Sequence, residues 1–144
     1  MNDEVSSTVL LKHALNAWDS GLAALEQYSS LSSLSARNGK VSFGDDQLFS
    51  ACDGLHVLAL GKCAHRLARA AADRLGHLIV GGFVVSQTHE PLMASWIQSC
   101  GGHPSPNNQS LETAKRLCGW LEALKPSDQL IVLMSGGASA MMEL

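Results

Sequence analysis

The chain has 144 residues, of which 46% are apolar and 16% are charged, and its formal net charge is −3. This length is sufficient for one folded domain with a buried core, and the composition is typical of a globular protein. The weakly acidic balance gives no basis for binding nucleic acid or a charged membrane surface. The apolar runs are too short to cross a bilayer, so we expect no membrane partner.

The cysteines and the N-terminus indicate the compartment. None of the four cysteines forms a Cys-x-x-Cys pair or a zinc-type spacing. The chain begins with the acidic segment Met1–Glu4, and no apolar segment with a small-residue cleavage site follows it. We therefore expect a cytoplasmic protein with reduced thiols and no metal-ligand set of its own.

The first third of the chain divides into two segments. Residues 1–28 predict an N-terminal helix, because apolar residues recur with helical spacing from about Thr8 to Gln27. Residues 29–50 are rich in serine, glycine and asparagine, which predicts an irregular connection. The remaining residues, 51–144, predict an α/β core.

The core alternates apolar strands with amphipathic helices. The predicted strands are Leu55–Leu60, Ile79–Ser86, Ser95–Cys100 and Gln129–Met134, and the predicted helices are Lys62–Leu75 and Ser110–Lys125. Near-continuous apolar strands joined by helices are typical of a mostly parallel sheet that is covered on both faces. We therefore predict a three-layer α/β/α fold.

Three loops that follow strands carry residues suited to binding a ligand. They are Gly61–Lys62, Gly102–Pro104 and Ser135–Ser139. In a parallel sheet, the loops after the carboxyl ends of the strands lie along one edge. We therefore predict that these three loops form a single site.

Two basic side chains stand in these loops. Lys62 lies at the start of a predicted helix, where the helix dipole disfavours a cation by roughly 0.3–1 kcal/mol unless an anion is bound. His103 lies in a loop stiffened by Pro104 and Pro106, which is a rigid mount for an imidazole. The alternatives are a solvated lysine and a histidine that bonds only its own loop.

The segment Ser135–Ser139 combines two adjacent glycines with two hydroxyl side chains. Glycines allow the backbone to approach a ligand closely, and a helix start presents unpaired N–H donors. The segment lacks the Gly-Lys-Ser/Thr ending of a Walker A loop, the G-x-G-x-x-G dinucleotide pattern and the Gly-x-Ser-x-Gly of a nucleophilic serine. It therefore predicts either an anion site or a tight turn without a ligand.

Four segments together resemble the glycerate kinases of the MOFRL type. They are Leu58–Ala71, Val80–Ser86, Gly102–Asn107 and Asp128–Ala140, and they occur in the order and spacing of that family. The resemblance covers the front part of the family's N-terminal, MOFRL-associated domain, which is Rossmann-like. It leaves out the region from Ser29 to Ser50.

The resemblance implies ATP-dependent phosphorylation of glycerate, commonly at the 2-hydroxyl, with Mg²⁺. The partners would then be glycerate and a nucleotide, bound in a cleft between two domains. It places Lys62, next to Gly61, on the substrate or the transferring phosphate, and it gives His103 a less defined role. It also implies that ligand oxygens are held by one loop, which consists of Ser135, Gly136, Gly137, Ala138 and Ser139.

Two departures from the family qualify this prediction. Ala138 replaces a third loop glycine, which would cost about 1 kcal/mol if that position needed positive φ. The chain also stops where the family continues, so we expect a truncated kinase that lacks the second domain and is inactive alone. A strand such as Gln129–Met134 usually lies centrally, so we expect exposed apolar sheet surface here and possible self-association through it.

Three other functions remain open from the sequence. The chain could be a non-catalytic module that binds an anion or a sugar acid through the same loops. It could be a remnant or interaction protein whose sheet pairs with another chain. A third function, hydroxypyruvate reduction, is disfavoured because the chain lacks a G-x-G-x-x-G loop followed by an acidic residue about twenty positions later.

Overall fold

The computed structural model describes residues 9–20, 30–50 and 54–143. The chain divides into two compact units, Met1–Ser33 and Leu34–Leu144. In the first unit, residues 9–20 form helix α1 and Ser30–Ser33 form one 3₁₀ turn. The start and the end that the sequence predicts for the N-terminal helix lie outside the described residues.

The second unit opens with an antiparallel sheet of strands β1 (Leu34–Arg37), β2 (Lys40–Phe43) and β3 (Asp46–Ser50). The prediction of an irregular connection over 29–50 is therefore wrong. The Asn38–Gly39 pair adopts φ values of 51° and 70°, which is the backbone of a tight hairpin turn. Turn-forming residues dominate the composition of residues 29–50, so the composition does not indicate the short strands between the turns.

The core of the second unit is a four-stranded parallel sheet with the order β6-β5-β4-β7. Its strands are β4 (Leu55–Leu60), β5 (Ile79–Ser86), β6 (Trp96–Cys100) and β7 (Gln129–Met134). The predicted strand bounds are confirmed, apart from one residue at the start of β6. Most of their side chains are apolar, which is typical of a parallel sheet that helices cover on both faces.

Helices α2 (Ala64–Leu75), α3 (Asn108–Glu122) and α4 (Ala138–Met141) flank this sheet. Crossovers between parallel strands are right-handed. Because α2 crosses toward β5 and α3 crosses back toward β7, the two helices lie on opposite faces. One core cluster joins the strands to α3 and α4 and comprises Leu58, Leu60, Phe83, Val85, Leu117, Ala138 and Met141. The predicted Rossmann-like α/β/α fold is confirmed.

Strand β7 lies at the edge of this sheet, beside β4, rather than at its centre. Val132 and Met134 point to one face of the sheet and are 49% and 66% exposed. Apolar surface is therefore present at the edge where the sequence led us to expect it. No helix among the described residues is long and apolar enough to span a membrane.

Candidate functional site

The turn after β4 and the turn after β7 are joined by backbone hydrogen bonds. The amide of Ser135 donates to the carbonyl of Leu60 at 2.8 Å, and the amide of Lys62 donates to the carbonyl of Gly136 at 3.0 Å. These bonds extend the parallel pairing of β4 and β7 past the ends of both strands. They bring the Gly61–Lys62 loop and the Ser135–Ser139 loop together, as the sequence predicts.

Gly61 is the point of closest approach between these two turns. Its φ is 101°, a left-handed value that favours glycine. A Cβ on Gly61 would lie 2.6 Å from the Ser135 hydroxyl and 2.8 Å from the carbonyl oxygen of Gly136, and closer still to the Ser135 carbonyl oxygen. Any side chain at this position would push the two turns apart.

The hydroxyl of Ser135 joins the same two turns. It donates to the carbonyl of Leu60 at 3.0 Å and accepts from the amide of Cys63 at 3.0 Å. Cys63 is the N-cap residue of α2 and provides no side-chain cap of its own. The N-terminus of α2 is therefore stabilised by a hydrogen bond to Ser135, a residue outside the helix.

The loop after β6 carries His103 toward these turns. The amide of Gly101 donates to the carbonyl of Ser86 at 3.1 Å, and the side-chain amide of Gln87 reaches the carbonyl of His103 at 3.4 Å. The peptide between His103 and Pro104 is cis. After this loop, α3 starts with a reciprocal capping box between Asn107 and Ser110, which fixes the loop's second end.

The three predicted loops meet at Gly137. A Cβ on this residue would lie 2.7 Å from His103 Cδ2, 2.9 Å from His103 Nε2 and 3.4 Å from Lys62 Cε. The φ of Gly137 is 87°, so this residue also needs glycine for its backbone conformation. The imidazole and the lysine side chain therefore flank a bare glycine, although more than thirty residues separate each pair of loops.

The backbone requirement in this turn falls on Gly137 and not on Ala138. Ala138 is the first residue of α4, has a right-handed helical conformation and is buried in the core cluster. The cost expected from replacing a third loop glycine therefore does not arise. Gly136 and Ser139, the other two members of the loop, are exposed beside Gly137.

The junction carries unneutralised positive charge. Across the part of the chain that the structure describes, no acidic side chain forms an ion pair with Lys62 or His103. In the same residues, the backbone amides of 136–139 donate to no other group. Lys62 is exposed and His103 is partly exposed, so both side chains can reach a ligand. This combination of an ammonium group, an imidazole and free N–H donors suits a carboxylate or a phosphate.

A second polar network, which the sequence does not predict, joins α2 to β6 and to the segment before it. Arg69 on α2 bonds Glu90 in the segment after β5 at 2.7 Å. His65 is 4% exposed and lies 2.9 Å from the Gln98 side-chain oxygen. These contacts tie the segment after β5 to α2. They join positions 21 and 33 residues apart, so no local sequence signal could have shown them.

Concavities elsewhere in the described part of the second unit include two that no predicted site residue lines. A groove of about 520 Å³ runs between α2 and the segment before β6, and its lining includes Ala68, Ala72 and Trp96. A depression of about 300 Å³ lies beside α3 and includes His89, Thr113 and Arg116. We assign the candidate site to the junction at Gly137, where Lys62, His103 and the free amides converge.

The fold and this junction define an α/β protein of the Rossmann-like class, with a candidate anion site at the carboxyl edge of its parallel sheet. The model of a family described as "Domain of unknown function (DUF4147)" matches residues 11–144. The chain belongs to this family, which is the MOFRL-associated N-terminal domain that the sequence resembles.

Three named relatives each match 60–64% of the chain. It is 34% identical over 95 residues to the D-glycerate 2-kinase of Thermotoga maritima and 34% identical over 91 residues to the glycerate 2-kinase of Pyrococcus horikoshii. It is 30% identical over 87 residues to a putative hydroxypyruvate reductase of Agrobacterium vitis. These matches cover 64%, 62% and 60% of this chain, but only 22%, 20% and 23% of the relatives.

Two crystal structures share the fold. A Pyrococcus horikoshii protein superposes with a TM-score of 0.74 at 26% identity, over 94% of this chain and 31% of its own. The glycerate kinase of Thermotoga maritima superposes with a TM-score of 0.58 at 33% identity, over 65% of this chain and 23% of its own. The chain thus spans less than a third of either structure.

Proposed function

We propose that this chain supplies one wall of a glycerate kinase active site, in which the γ-phosphoryl group of ATP is transferred to the 2-hydroxyl of glycerate. The observation that carries the proposal is the junction at Gly137, where Lys62 and His103 flank free backbone amides without acidic partners. The names of the Thermotoga and Pyrococcus relatives support the choice of glycerate as substrate.

The residues of the junction have distinct roles in this proposal. Lys62 neutralises negative charge on the glycerate carboxylate or on the phosphoryl group in transfer. The backbone amides of 136–139 donate to the same oxygens, and His103 bonds the opposite side of the ligand. Phosphoryl transfer depends mainly on positioning and charge neutralisation, which such groups can provide.

The nucleotide and its Mg²⁺ belong to the proposal as cofactors of the whole kinase. Among residues 9–20, 30–50 and 54–143, no three histidine, cysteine, aspartate or glutamate side chains gather in a way that could hold a metal ion. We therefore assign no residue of this chain to Mg²⁺. The chain spans 22% and 20% of the two kinase relatives, and we propose that catalysis requires polypeptide equivalent to the rest of their length.

The direct test is Lys62→Ala in a protein that joins this chain to the rest of the kinase length. We expect the rate of phosphoryl transfer to glycerate to fall by about a hundredfold, because a preorganised positive group is lost from the transition state. Lys115→Ala, which removes an exposed lysine on α3, is the matched control and should leave the rate unchanged. An unchanged rate in Lys62→Ala would remove Lys62 from the mechanism.

The second candidate function is a module that binds anions or sugar acids without chemistry. It is favoured by the fact that the cations and the free amides all lie on this chain, so binding does not require a second domain. Titration of the 144-residue chain with inorganic phosphate and with glycerate, followed by NMR of the Gly136 and Gly137 amides, tests it. Binding together with a lack of transfer in the joined protein would favour the module over the kinase.

The name of the Agrobacterium relative raises hydroxypyruvate reduction as a third candidate. The chain lacks the glycine-rich dinucleotide loop of a Rossmann dehydrogenase. We therefore expect no hydroxypyruvate-dependent oxidation of NADH or NADPH by the joined protein, as followed by absorbance.

The exposed edge at β7 supports self-association as a further part of the proposal. Val132 and Met134 lie on an uncharged strand, and such unprotected edges readily pair. We expect size-exclusion chromatography of the 144-residue chain to show dimers or larger species, and a compact stable monomer would contradict this. A cytoplasmic location remains a prediction.

A further inference from the structure

The hydroxyl of Ser135 already has most of its hydrogen-bonding capacity in use. A serine hydroxyl has one proton and two lone pairs. Its proton goes to the carbonyl of Leu60 at 3.0 Å, and one lone pair accepts the amide of Cys63 at 3.0 Å. One lone pair remains, and no proton is left to donate.

This arrangement conflicts with a direct role for Ser135 in holding an anion. Carboxylate and phosphate oxygens accept hydrogen bonds, so their partners must be donors. The spare lone pair of Ser135 would face such oxygens as a second acceptor. The free amides of 136–139 and the Lys62 ammonium group have the required donors, whereas Ser135 does not.

The hydroxyl instead acts as an external cap for α2. In a capping box, the side chain of the third helical residue accepts the amide of the N-cap residue. The N-cap of α2 is Cys63, and the third helical residue is Arg66. A guanidinium group contains only hydrogen-bond donors, so Arg66 cannot accept the amide of Cys63. Ser135, in the turn after β7, provides the acceptor that the helix lacks.

The external cap determines where Lys62 lies. Lys62 immediately precedes Cys63, and its own amide is bonded to the carbonyl of Gly136 at 3.0 Å. The backbone on both sides of the lysine is thereby fixed to the turn after β7. In this position, the Lys62 Cε atom lies 3.4 Å from the point that a Cβ atom on Gly137 would occupy.

We propose that Ser135 is a positioning residue that acts through Lys62, and not a ligand of the anion. The inference rests on the proposed function for its anion-binding consequence, whereas the cap itself exists in the free protein. It reverses the role that the family resemblance implies for the first serine of this loop. The ligand contacts of the loop are left to its backbone and to Ser139.

The first experiment measures amide hydrogen exchange in the free 144-residue chain. In Ser135→Ala, the Cys63 amide loses its acceptor, and we expect its exchange to accelerate roughly tenfold, with α3 unaffected. Ser127→Ala removes an exposed hydroxyl at the other end of the sheet and should leave Cys63 unchanged. Unchanged Cys63 exchange in Ser135→Ala would overturn the inference.

The second experiment is a double-mutant cycle on the binding of inorganic phosphate. If Ser135 acts through Lys62, Ser135→Ala weakens binding severalfold in the wild type and has no further effect in Lys62→Ala. If Ser135 holds the anion directly, its removal weakens binding equally in both backgrounds, which would also overturn the inference. An unchanged affinity in Ser135→Ala would do the same.

The two experiments separate this inference from the proposed function. If the wild-type chain binds no phosphate while Cys63 exchange responds to Ser135→Ala, the anion site fails and the external cap stands. If phosphate binds, depends on Lys62 and is indifferent to Ser135, the anion site stands and the positioning role fails. Both the anion site and the positioning role are supported if the losses of phosphate affinity in Ser135→Ala and Lys62→Ala are non-additive and if Ser135→Ala also accelerates exchange of the Cys63 amide.

Discussion

The two ends of the parallel sheet use their polar groups differently. At the amino end, Asp128 accepts the Lys125 amide at 2.8 Å and lies 3.5 Å from His56 Nε2. At the carboxyl end, Lys62 and His103 have no acidic partner among the described residues. At one end of the sheet the polar groups therefore contact each other, whereas at the other end the Lys62 ammonium group remains available for a ligand.

Two glycines show that the backbone is also packed differently at the two ends of the sheet. A Cβ on Gly54, at the amino end, would lie 2.9 Å from a carboxylate oxygen of Asp128, which can rotate away. A Cβ on Gly61, at the carboxyl end, would meet the fixed backbone oxygens of Ser135 and Gly136. The carboxyl end is thus the more rigidly specified of the two, as a preorganised site requires.

The largest expected effect is the loss of stability in Gly61→Ala, which would disrupt the close packing of the two turns at the carboxyl end of the sheet. The new methyl group meets backbone oxygens and the φ of 101° strains alanine, so we expect about 3 kcal/mol or more of lost unfolding free energy. Urea unfolding followed by circular dichroism measures it. Gly136→Ala is the control, because that position has open space and no positive φ, and it should change stability by less than about 0.5 kcal/mol.

A smaller effect is expected from Asp128→Ala at the amino end. This variant removes the acceptor of the Lys125 amide and the partner of His56, so we expect a loss of about 1–2 kcal/mol in urea unfolding. Phosphate binding should stay as in the wild type, because the charge lies at the far end of the strands. Asp73→Ala, on the exposed side of α2, is the control. Weaker phosphate binding in Asp128→Ala would show that the two ends are coupled.

The smallest effect concerns Cys100, where β6 ends at the carboxyl edge. Burial raises the pKa of the Cys100 thiol above its ordinary value of 9.0. The folded state therefore favours the protonated thiol, and this contribution to stability is complete below pH 9 and is lost as the pH rises through the raised pKa. Unfolding free energies measured between pH 8 and 11 should fall less steeply in Cys100→Ala. An identical slope in both proteins would contradict the prediction.

The sheet could be predicted from the sequence because its signals are local. Leu55–Leu60, Ile79–Ser86 and Gln129–Met134 are apolar runs bounded by glycine or polar residues, and the structure reproduces their bounds. The antiparallel strands over 34–50 were missed because each has only four or five residues and the turns between them dominate the composition. Val41 is fully buried there, although its surroundings in the sequence are polar.

The meeting of the three loops was also predictable, because parallel strands place the loops after their carboxyl ends on one edge. The detailed roles were not. Ser135 bonds groups that lie 72 and 75 residues away, and no pattern in one chain shows such a distance. The position that needs left-handed backbone is Gly137 and not Ala138, a choice that depends on where α4 begins.

The external cap on α2 also sets the order in which the molecule assembles. During synthesis, the acceptor for the Cys63 amide emerges 72 residues after the helix that needs it. The first turn of α2 therefore stays loosely held until β7 joins β4, and long-range pairing of this kind is slow compared with helix formation. The lysine at the helix start reaches its final orientation only when β7 has joined β4, so the anion affinity that we propose would arise only once the sheet is finished.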